Sequence, residues 1–272
     1  METPWDIRFS SLTLGYGTRV VLRDISGELP GGAISMILGE SGCGKSTLLR
    51  HMIGLAKPMA GSLYIGGEDF FAKKGRDFRR LRRRMGVLFQ DGALLGSLTI
   101  AENVALPLSE HLSLPSASIR REVLRVLSMV ELADAADFYP NELSGGMRKR
   151  AGLARAIIAN PSLLFCDEPT SGLDPVTAAR MDALLLSLHG QFPQMTIVVV
   201  SHDLASLSRI ADYTLVLRDG ACVFSGTRDE LFASKDPYLS AFLQRETEAE
   251  AADFSLPMDP SVSAALSRWL AQ

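Results

Sequence analysis

The strongest chemical signal in the sequence is a glycine-rich segment that ends in a lysine and a serine. Gly39–Ser46 matches the pattern G-x-x-x-x-G-K-[ST], and an almost unbroken apolar run, Ala33–Leu38, precedes it. Glycines let successive backbone N–H groups face phosphate oxygens, and the N-terminus of a following helix adds positive potential. The segment therefore predicts a phosphate-binding loop between a buried strand and a helix.

Different residues of this loop are expected to contact different parts of a nucleoside triphosphate. Lys45 offers a positive charge to the β- and γ-phosphates, the Ser46 hydroxyl is placed to ligate Mg²⁺, and Thr47 can reach the α-phosphate. An ordinary glycine-rich turn is the alternative, and the strand before the segment and the helix after it argue against that. The residues predicted to bind ATP are Gly39, Glu40, Ser41, Gly42, Cys43, Gly44, Lys45, Ser46 and Thr47.

A second apolar run, Leu163–Cys166, ends in two acids, Asp167 and Glu168. Ligands bind at the carboxyl ends of strands in open α/β sheets, so these acids are expected beside the phosphates. Asp167 suits the shell of a Mg²⁺ ion, and Glu168 is placed to polarise the attacking water as a general base. Strands often end in acids that only cap the next helix, but the phosphate-binding loop makes the catalytic interpretation the stronger one.

A third motif, Leu143-Ser144-Gly145-Gly146-Met147, leads into a predicted helix about twenty residues before the acidic strand. Its hydroxyl, glycine amides and helix N-terminus form a second anion site, although Ser-Gly-Gly alone could be a flexible loop. With this motif the sequence resembles the ATP-binding cassette family over nearly all of residues 5–245. The resemblance implies a head-to-tail homodimer in which Ser144, Gly145 and Gly146 of one copy face the γ-phosphate bound by the other.

The family resemblance also implies roles for residues whose own signals are weak. Tyr16 would stack on adenine, Gln90 would sense the metal and the γ-phosphate, and His202 would contact the γ-phosphate. Ser171-Gly172-Leu173-Asp174 would cross the dimer seam, and Asp174 joins the predicted nucleotide contacts. Taken alone, Tyr16 is equally a turn aromatic, and His202 a helix cap or surface residue. The predicted catalytic set is Glu168, His202 and Gln90, and the predicted metal ligands are Ser46, Gln90 and Asp167.

The order of elements predicts an α/β fold with a mixed sheet core, an antiparallel β subdomain and an inserted α-helical subdomain, and the family resemblance implies that this is the P-loop ATPase fold of the cassette type. Short strands before Pro30, with a turn at Gly15-Tyr16-Gly17, predict the antiparallel part. Strands at Leu163–Cys166 and Ile197–Val200, joined by a helix that Asp174 caps, predict a parallel pair in the core.

Helical periodicity over Leu98–Ile158 predicts the inserted subdomain. Thr99 and Glu102 have the spacing of a capping box, and the apolar face of a second helix is expected to begin after Ser116 or Ser118. The predicted domains are an ATP-binding domain at 1–245, with its helical subdomain at about 98–158, and a linker with a short amphipathic docking helix at 246–272.

Composition excludes several classes of protein. The 272 residues are 47% hydrophobic, which excludes global disorder, and a net charge of −3 offers no general attraction to nucleic acid or anionic lipid. The spacing of Cys43, Cys166 and Cys222 fits neither a zinc site nor a disulfide framework. No apolar run approaches the roughly 20 residues of a membrane-spanning helix, and Met1–Phe9 lacks the pattern of a secretory signal. We therefore expect a protein of the reducing cytosol, and if it acts at a membrane, it does so from outside the bilayer.

Two surface features have more than one interpretation. Eight of the twelve residues in Lys73–Arg84 are Lys or Arg, and a solvated helix face is favoured over a contact with anionic headgroups. After Pro257 an amphipathic stripe that includes Trp269 predicts a terminal helix that docks on a partner, with a frayed terminus as the alternative.

Finer resemblance is to phospholipid-trafficking ATPases of the Mla or MCE type, through Gly86–Leu94, Glu102–Leu108 and Leu143–Arg150, which reads LSGGMRKR. It implies two copies of this chain under two membrane permease subunits, peripheral on the cytoplasmic face of a Gram-negative inner membrane, with a STAS-domain regulatory protein and an MCE-domain protein. The cargo of that complex would be phospholipid that moves between the inner and outer membranes and maintains outer-membrane lipid asymmetry. Importers of small polar solutes such as amino acids are the alternative. A soluble ATPase that acts on ribosomes or DNA is disfavoured, because the chain has one cassette and no heptad run.

Overall fold

The structure is a computed structural model that describes residues 3–244, 261, 262 and 269. Within this part of the chain, ten strands form two sheets. The strands are β1 (Ile7–Tyr16), β2 (Arg19–Leu29), β3 (Ile34–Gly39), β4 (Ala60–Ile65), β5 (Glu68–Asp69), β6 (Met85–Leu88), β7 (Leu163–Asp167), β8 (Thr196–Val200), β9 (Tyr213–Arg218) and β10 (Ala221–Thr227).

The smaller sheet is antiparallel and has the strand order β2-β1-β4-β5, which confirms the predicted antiparallel start. β1 and β2 stay paired until Tyr16 lies opposite Arg19. The predicted turn at Gly15-Tyr16-Gly17 is therefore placed too early, because Tyr16 still belongs to the strand. Gly17 has φ 57°, which a glycine adopts at little cost, so the chain reverses there.

The larger sheet has the order β10-β9-β3-β8-β7-β6, and only its β10–β9 pair is antiparallel. Every residue of β3 and β8 is buried, as expected for strands covered on both faces. The predicted parallel pairing of β7 with β8 is confirmed. Because β3, β6, β7 and β8 are parallel, their carboxyl ends meet at one edge of the sheet, where the predicted site residues follow.

Three helices lie between β6 and β7, which confirms the helical character of the segment predicted at about 98–158. Two short 3₁₀ turns, Ala133–Ala135 and Pro140–Glu142, connect the second of these helices to the third. The α-helices in the described residues are α1 (Lys45–Met52), α2 (Gly75–Arg82), α3 (Ile100–Ser109), α4 (Ser116–Met129), α5 (Gly145–Ile157), α6 (Pro175–Gln191), α7 (Leu204–Ile210), α8 (Arg228–Phe232) and α9 (Pro237–Gln244).

The first two helices of the insertion begin differently. At the start of α3, Thr99 Oγ1 accepts from the Glu102 amide at 3.2 Å and Glu102 Oε2 accepts from the Thr99 amide at 2.7 Å, so the predicted capping box is present. α4 begins at Ser116 and not after it, since Pro115 occupies the N-cap and no side chain caps this helix. The apolar face predicted to begin after Ser116 or Ser118 is present, because Val123 and Val126 are buried, although neither serine caps the helix.

The basic run Lys73–Arg84 contains α2. Leu81 is buried and the Phe78 ring packs 5.0 Å from that of Phe70, whereas Arg76, Arg79, Arg80 and Arg82 are exposed. An apolar face toward the core and arginines toward solvent match the favoured interpretation of a solvated helix face.

The chain divides into two compact units, Met1–Ser234 and Lys235–Gln272, and α9 belongs to the second. The predicted linker and docking helix at 246–272 lie outside the described residues except for Ser261, Val262 and Trp269, so that division stays a prediction. The Trp269 side chain is exposed. Among the described residues no helix has both the length and the apolar character needed to cross a bilayer.

We expect Thr99→Ala to lower the free energy of unfolding by about 1 kcal/mol, because the substitution removes the side-chain cap of α3. Urea denaturation followed by circular dichroism measures this. Ser118→Ala is the matched control: Ser118 is an exposed first-turn residue of the uncapped α4, and its substitution should change the same quantity by less than about 0.5 kcal/mol. Equal effects of the two substitutions would contradict the capping account.

Candidate active site

The phosphate-binding loop follows β3 directly, and its glycines adopt conformations that other residues avoid. Gly44, at the N-cap of α1, has φ 111°, and Gly39 has φ 149°. A Cβ on Gly39 would lie 2.3 Å from the Leu217 carbonyl oxygen, so no larger residue fits. The loop backbone is thereby fixed between a buried strand and a helix N-terminus, the arrangement that binds phosphate.

Lys45, the first residue of α1, folds back over this loop. Its side chain donates to the carbonyl oxygens of Gly39 at 2.7 Å and Glu40 at 3.0 Å, and the residue is only 8% exposed. The ammonium group is therefore held above the loop amides, where it can meet a phosphate. Ser46, the next residue, is exposed and Thr47 is half-buried.

Asp167 is the last residue of β7, and Glu168 follows it directly. Asp167 Oδ1 and Glu168 Oε2 are buried and have no hydrogen-bond partner. Burial and the neighbouring Glu168 raise the pKa of Asp167, against the opposing charges of Arg50, Lys45 and Lys149. A cation would relieve both the missing contact and the repulsion between the two carboxylates.

This arrangement fits a Mg²⁺ ion that arrives with the nucleotide. Asp167 supplies an oxygen ligand without a partner, and the exposed hydroxyl of Ser46 and amide of Gln90 follow β3 and β6 at the same edge of the sheet. The described residues contain no group of three His, Cys, Asp or Glu that could hold a metal alone. A Mg²⁺ ion is usually bound by only a few protein ligands, and the substrate phosphates supply others.

Glu168 is held in a strained backbone conformation with φ 49°, uncommon for a residue with a side chain. Its amide donates to the Val200 carbonyl oxygen at 2.8 Å. Nδ1 of His202 lies 3.0 Å from both carboxylate oxygens, and the geometry of a hydrogen bond is met at Oε1. The structure therefore brings together two of the three predicted catalytic residues, while the third, Gln90, lies exposed after β6.

The Ser-Gly-Gly motif forms the N-terminus of α5, so a flexible loop is excluded. Ser144 is the N-cap, and its Oγ accepts from the Met147 amide at 3.3 Å. Ser144 and Gly145 are exposed, whereas Gly146 packs so closely that a Cβ would lie 2.6 Å from a methyl carbon of Thr177. A thirteen-residue helix thus presents its positive end to solvent.

The predicted cap of α6 is confirmed. Asp174 Oδ1 accepts from the Val176 and Thr177 amides at 3.0 Å, and Oδ2 accepts from the Thr177 hydroxyl. These bonds, with that from the Thr177 hydroxyl first, lower the pKa of Asp174. Both oxygens of Asp174 thus accept bonds from its own helix in this structure.

Tyr16 and the cysteines have simple surroundings. Tyr16 is 44% exposed at the end of β1, and its hydroxyl accepts a long hydrogen bond of 3.4 Å from Arg50. An exposed ring at this position is available to stack on a base.

Cys43 and Cys166 are free and buried, and burial raises the pKa of each thiol, so both act as small apolar side chains.

Two basic residues of α5 that the sequence did not single out contact the loops around the site. Lys149 donates to the Glu168 carbonyl oxygen at 2.8 Å, and Arg155 donates to the carbonyl oxygens of Gly92 and Ala93, both at 2.8 Å. Helical spacing could have found Lys149, because it shares a buried face with Gly152 and Ala156.

Beside the phosphate-binding loop a cleft of about 300 Å³ is lined by Glu40 and Ser41 and by the charged side chains of Arg19 and Arg218. A larger cleft of about 730 Å³ around Trp5 pairs basic with acidic residues and is lined by none of the predicted site residues. We therefore place the site at the loop and not in the larger cleft.

A protein-family comparison is decisive once this geometry is known. The family described as ABC transporter matches residues 22–171, which run from β2 through the phosphate-binding loop and α5 to the acidic pair. The chain belongs to the ABC transporter family. It is an ATP-binding, ATP-hydrolysing subunit of that family, as its motifs predict.

Curated relatives of this cassette carry several different names. The intermembrane phospholipid transport system ATP-binding protein MlaF of Escherichia coli K12 is 40% identical over 238 residues, covering 88% of this chain and 87% of that protein. The probable ribonucleotide transport ATP-binding protein mkl of Mycobacterium leprae is 39% identical, covering 87% and 68%. The methionine import ATP-binding protein MetN 1 of Rhodopseudomonas palustris is 43% identical, but the cassette spans only 57% of its length.

Solved structures confirm the fold. A dimeric ATP-binding cassette, MJ0796, in a post-hydrolysis state with ADP and Pi has a TM-score of 0.74 and 31% identity, covering 82% of this chain and 98% of that one. The structure of cbiO1 from Clostridium perfringens, part of the ABC transporter complex cbiONQ, has a TM-score of 0.77 at 24% identity, covering 97% of this chain and 99% of that one.

We expect Lys45→Ala to weaken ATP binding by at least about 100-fold, because it removes the charge held above the loop amides. Isothermal titration of the full chain with Mg-ATP measures this. Lys74→Ala, which removes an exposed lysine that makes no capping bond, should bind ATP like the parent chain. Unchanged affinity in Lys45→Ala, with its melting temperature also unchanged, would place the phosphates elsewhere.

Proposed function

We propose that this cassette hydrolyses Mg-ATP as one half of a homodimer and thereby drives phospholipid transport between the inner and outer membranes. The observation that carries the catalytic part is the Glu168 carboxylate, strained, half-buried and partnered by His202, next to an Asp167 oxygen that lacks a partner. Two carboxylates with different neighbours at one strand end can divide the roles of base and metal ligand.

In this proposal the phosphates lie against residues 39–47, with Lys45 on the β- and γ-phosphates and Tyr16 on the adenine. Asp167, Ser46 and Gln90 would hold Mg²⁺, which supplies positive charge to the phosphate oxygens. The strained backbone of Glu168 fixes the direction of its carboxylate. The carboxylate is therefore already in position to orient the water that attacks the γ-phosphate.

Hydrolysis requires a water oxygen to form a bond to the γ-phosphorus while the bond to the β–γ bridging oxygen breaks. Glu168 accepts the proton that the water loses, and ADP and inorganic phosphate are the products. His202, hydrogen-bonded to Glu168, is exposed and free to turn toward the γ-phosphate. Lys45 neutralises charge that builds up on the leaving ADP.

The second copy supplies the other side of the site. Ser144 and Gly145 are exposed at a positive helix end, so they are accessible to the phosphate oxygens of a nucleotide that a second copy presents. We place Ser144, Gly145 and Gly146 of one copy on the γ-phosphate of the other, with residues 171–174 crossing the seam and Asp174 near the nucleotide. The dimeric MJ0796 cassette supports a paired arrangement.

Phospholipid is the cargo that the relatives favour, since two MlaF proteins match along nearly their whole length. The complex would hold the dimer under permease subunits on the cytoplasmic face of the bacterial inner membrane, with a STAS-domain protein and an MCE-domain protein. Import of a small polar solute such as an amino acid is the second candidate, because MetN 1 is 43% identical.

Purification of the tagged full chain from detergent-solubilised membranes tests the cargo. We expect a permease and an MCE-domain protein to copurify with it, because phospholipid transport needs both. A solute-binding protein in place of the MCE-domain protein would contradict the proposal and support nutrient import.

We expect Glu168→Gln to bind ATP with nearly the parent affinity but to hydrolyse it about 100- to 1000-fold more slowly, because glutamine cannot accept the proton. Phosphate release from the complex purified with its membrane partners measures turnover. Glu122→Gln, at an exposed carboxylate that pairs with Arg125 on α4, is the control and should keep full activity. Equal turnover in Glu168→Gln and the parent would remove Glu168 from the role of base.

A further inference from the structure

Lys149 is a buried lysine to which neither the motifs nor the proposed mechanism gives a role. It lies on α5, five positions after Ser144, and is only 5% exposed. Its ammonium group donates to the carbonyl oxygens of Glu168 at 2.8 Å and Ser171 at 2.6 Å, and to Ser171 Oγ at 3.0 Å. We call these three hydrogen bonds the Lys149 bridge.

The bridge satisfies a group that is costly to bury. An ammonium carries three donors, and here each has an acceptor, so the charge is buried without an unsatisfied hydrogen. Burial lowers the pKa of Lys149, while the charges of Asp91, Glu168 and Asp167 oppose that shift. The lysine is therefore fixed by acceptors from one loop and lies in the field of carboxylates that follow two strands, β6 and β7.

What the bridge holds is the backbone that aims Glu168. The Glu168 carbonyl oxygen also accepts from the Ser171 hydroxyl at 3.0 Å, and the Glu168 amide donates to Val200. A strained residue keeps its conformation only when its surroundings determine it several times over. Without Lys149, the peptide after Glu168 and the turn at Ser171 would lose their only bonds to α5 among those found in the described residues.

We propose that Lys149 is a positioning residue that couples the Ser144 end of α5 to Glu168 and to residues 171–174. The coupling has a consequence that rests on the proposed head-to-tail dimer. There, one chain gives its Ser144 to the nucleotide of its twin and its Glu168 to its own nucleotide. Since a helix is rigid over the five residues from Ser144 to Lys149, a shift at one ATP site moves the base of the other.

Hydrogen exchange tests the bridge without any need for ATP turnover. In the nucleotide-free full chain we expect Lys149→Met to speed amide exchange in residues 170–174 by about tenfold, with β7 and β8 unchanged, because the turn loses its anchor. Lys149→Arg keeps several donors at this place and should restore most of the protection. Lys74→Met, at an exposed lysine, should exchange like the parent.

Kinetics on the complex purified with its membrane partners gives the second readout. We expect Lys149→Met to lower kcat about tenfold and leave KM for ATP within about twofold, because the base is misplaced while the phosphate-binding loop is intact. Lys149→Arg should recover kcat. If Glu168→Gln proves fully active, the role of base fails, yet the exchange measurement still judges the bridge.

Three results would overturn the proposal. The first is unchanged exchange in residues 170–174 together with an unchanged kcat in Lys149→Met. The second is a rise in exchange across the whole chain that Lys149→Arg does not reverse, which would mark a merely structural role. If Lys149→Met does not fold, Ser171→Ala removes one acceptor and leaves the lysine buried. Exchange in residues 170–174 should then rise about threefold, and no rise would be the third result.

Discussion

Two carboxylates lie next to each other at the carboxyl end of the buried strand β7. Asp167 and Glu168 repel each other in a half-buried place, and each leaves one oxygen without a partner. Such a pair is expensive to hold, and the fold offsets the cost with nearby positive charges on Lys45, Arg50 and Lys149. A nucleotide with its metal ion would add positive charge beside the two carboxylates and so complete this balance.

The larger sheet and α5 together position the loops around these carboxylates. The parallel strands bring the phosphate-binding loop, Gln90 and the acidic pair to one edge, because each follows a carboxyl end. α5 joins the loops that follow two of those strands: Arg155 holds Gly92 and Ala93 after β6, and Lys149 holds the turn after β7. One helix therefore connects the exposed N-terminus at Ser144, where we propose an anion site, to both loops.

Local sequence signals predicted the parts of the site that local chemistry determines. The capping box at Thr99 and the cap at Asp174 could be predicted because each depends on residues within three positions, and the loop glycines because they belong to one motif of consecutive residues, Gly39–Ser46. The turn near Tyr16 was misplaced, since strand pairing across β1 and β2 overrides the local turn signal. The strain at Glu168, its contact with His202 and the role of Lys149 arise from contacts across 19 to 34 residues, which no short motif contains.

The proposed mechanism depends on where the γ-phosphate lies between two copies of the chain. The most direct measurement is a structure of the Glu168→Gln chain with bound Mg-ATP. We predict a head-to-tail dimer in which Lys45 of one copy and Ser144 of the other contact the same γ-phosphate. Asp167 should lie beside the metal. A nucleotide held by Lys45 alone, with Ser144 directed away from every phosphate in a fully formed dimer, would contradict this prediction.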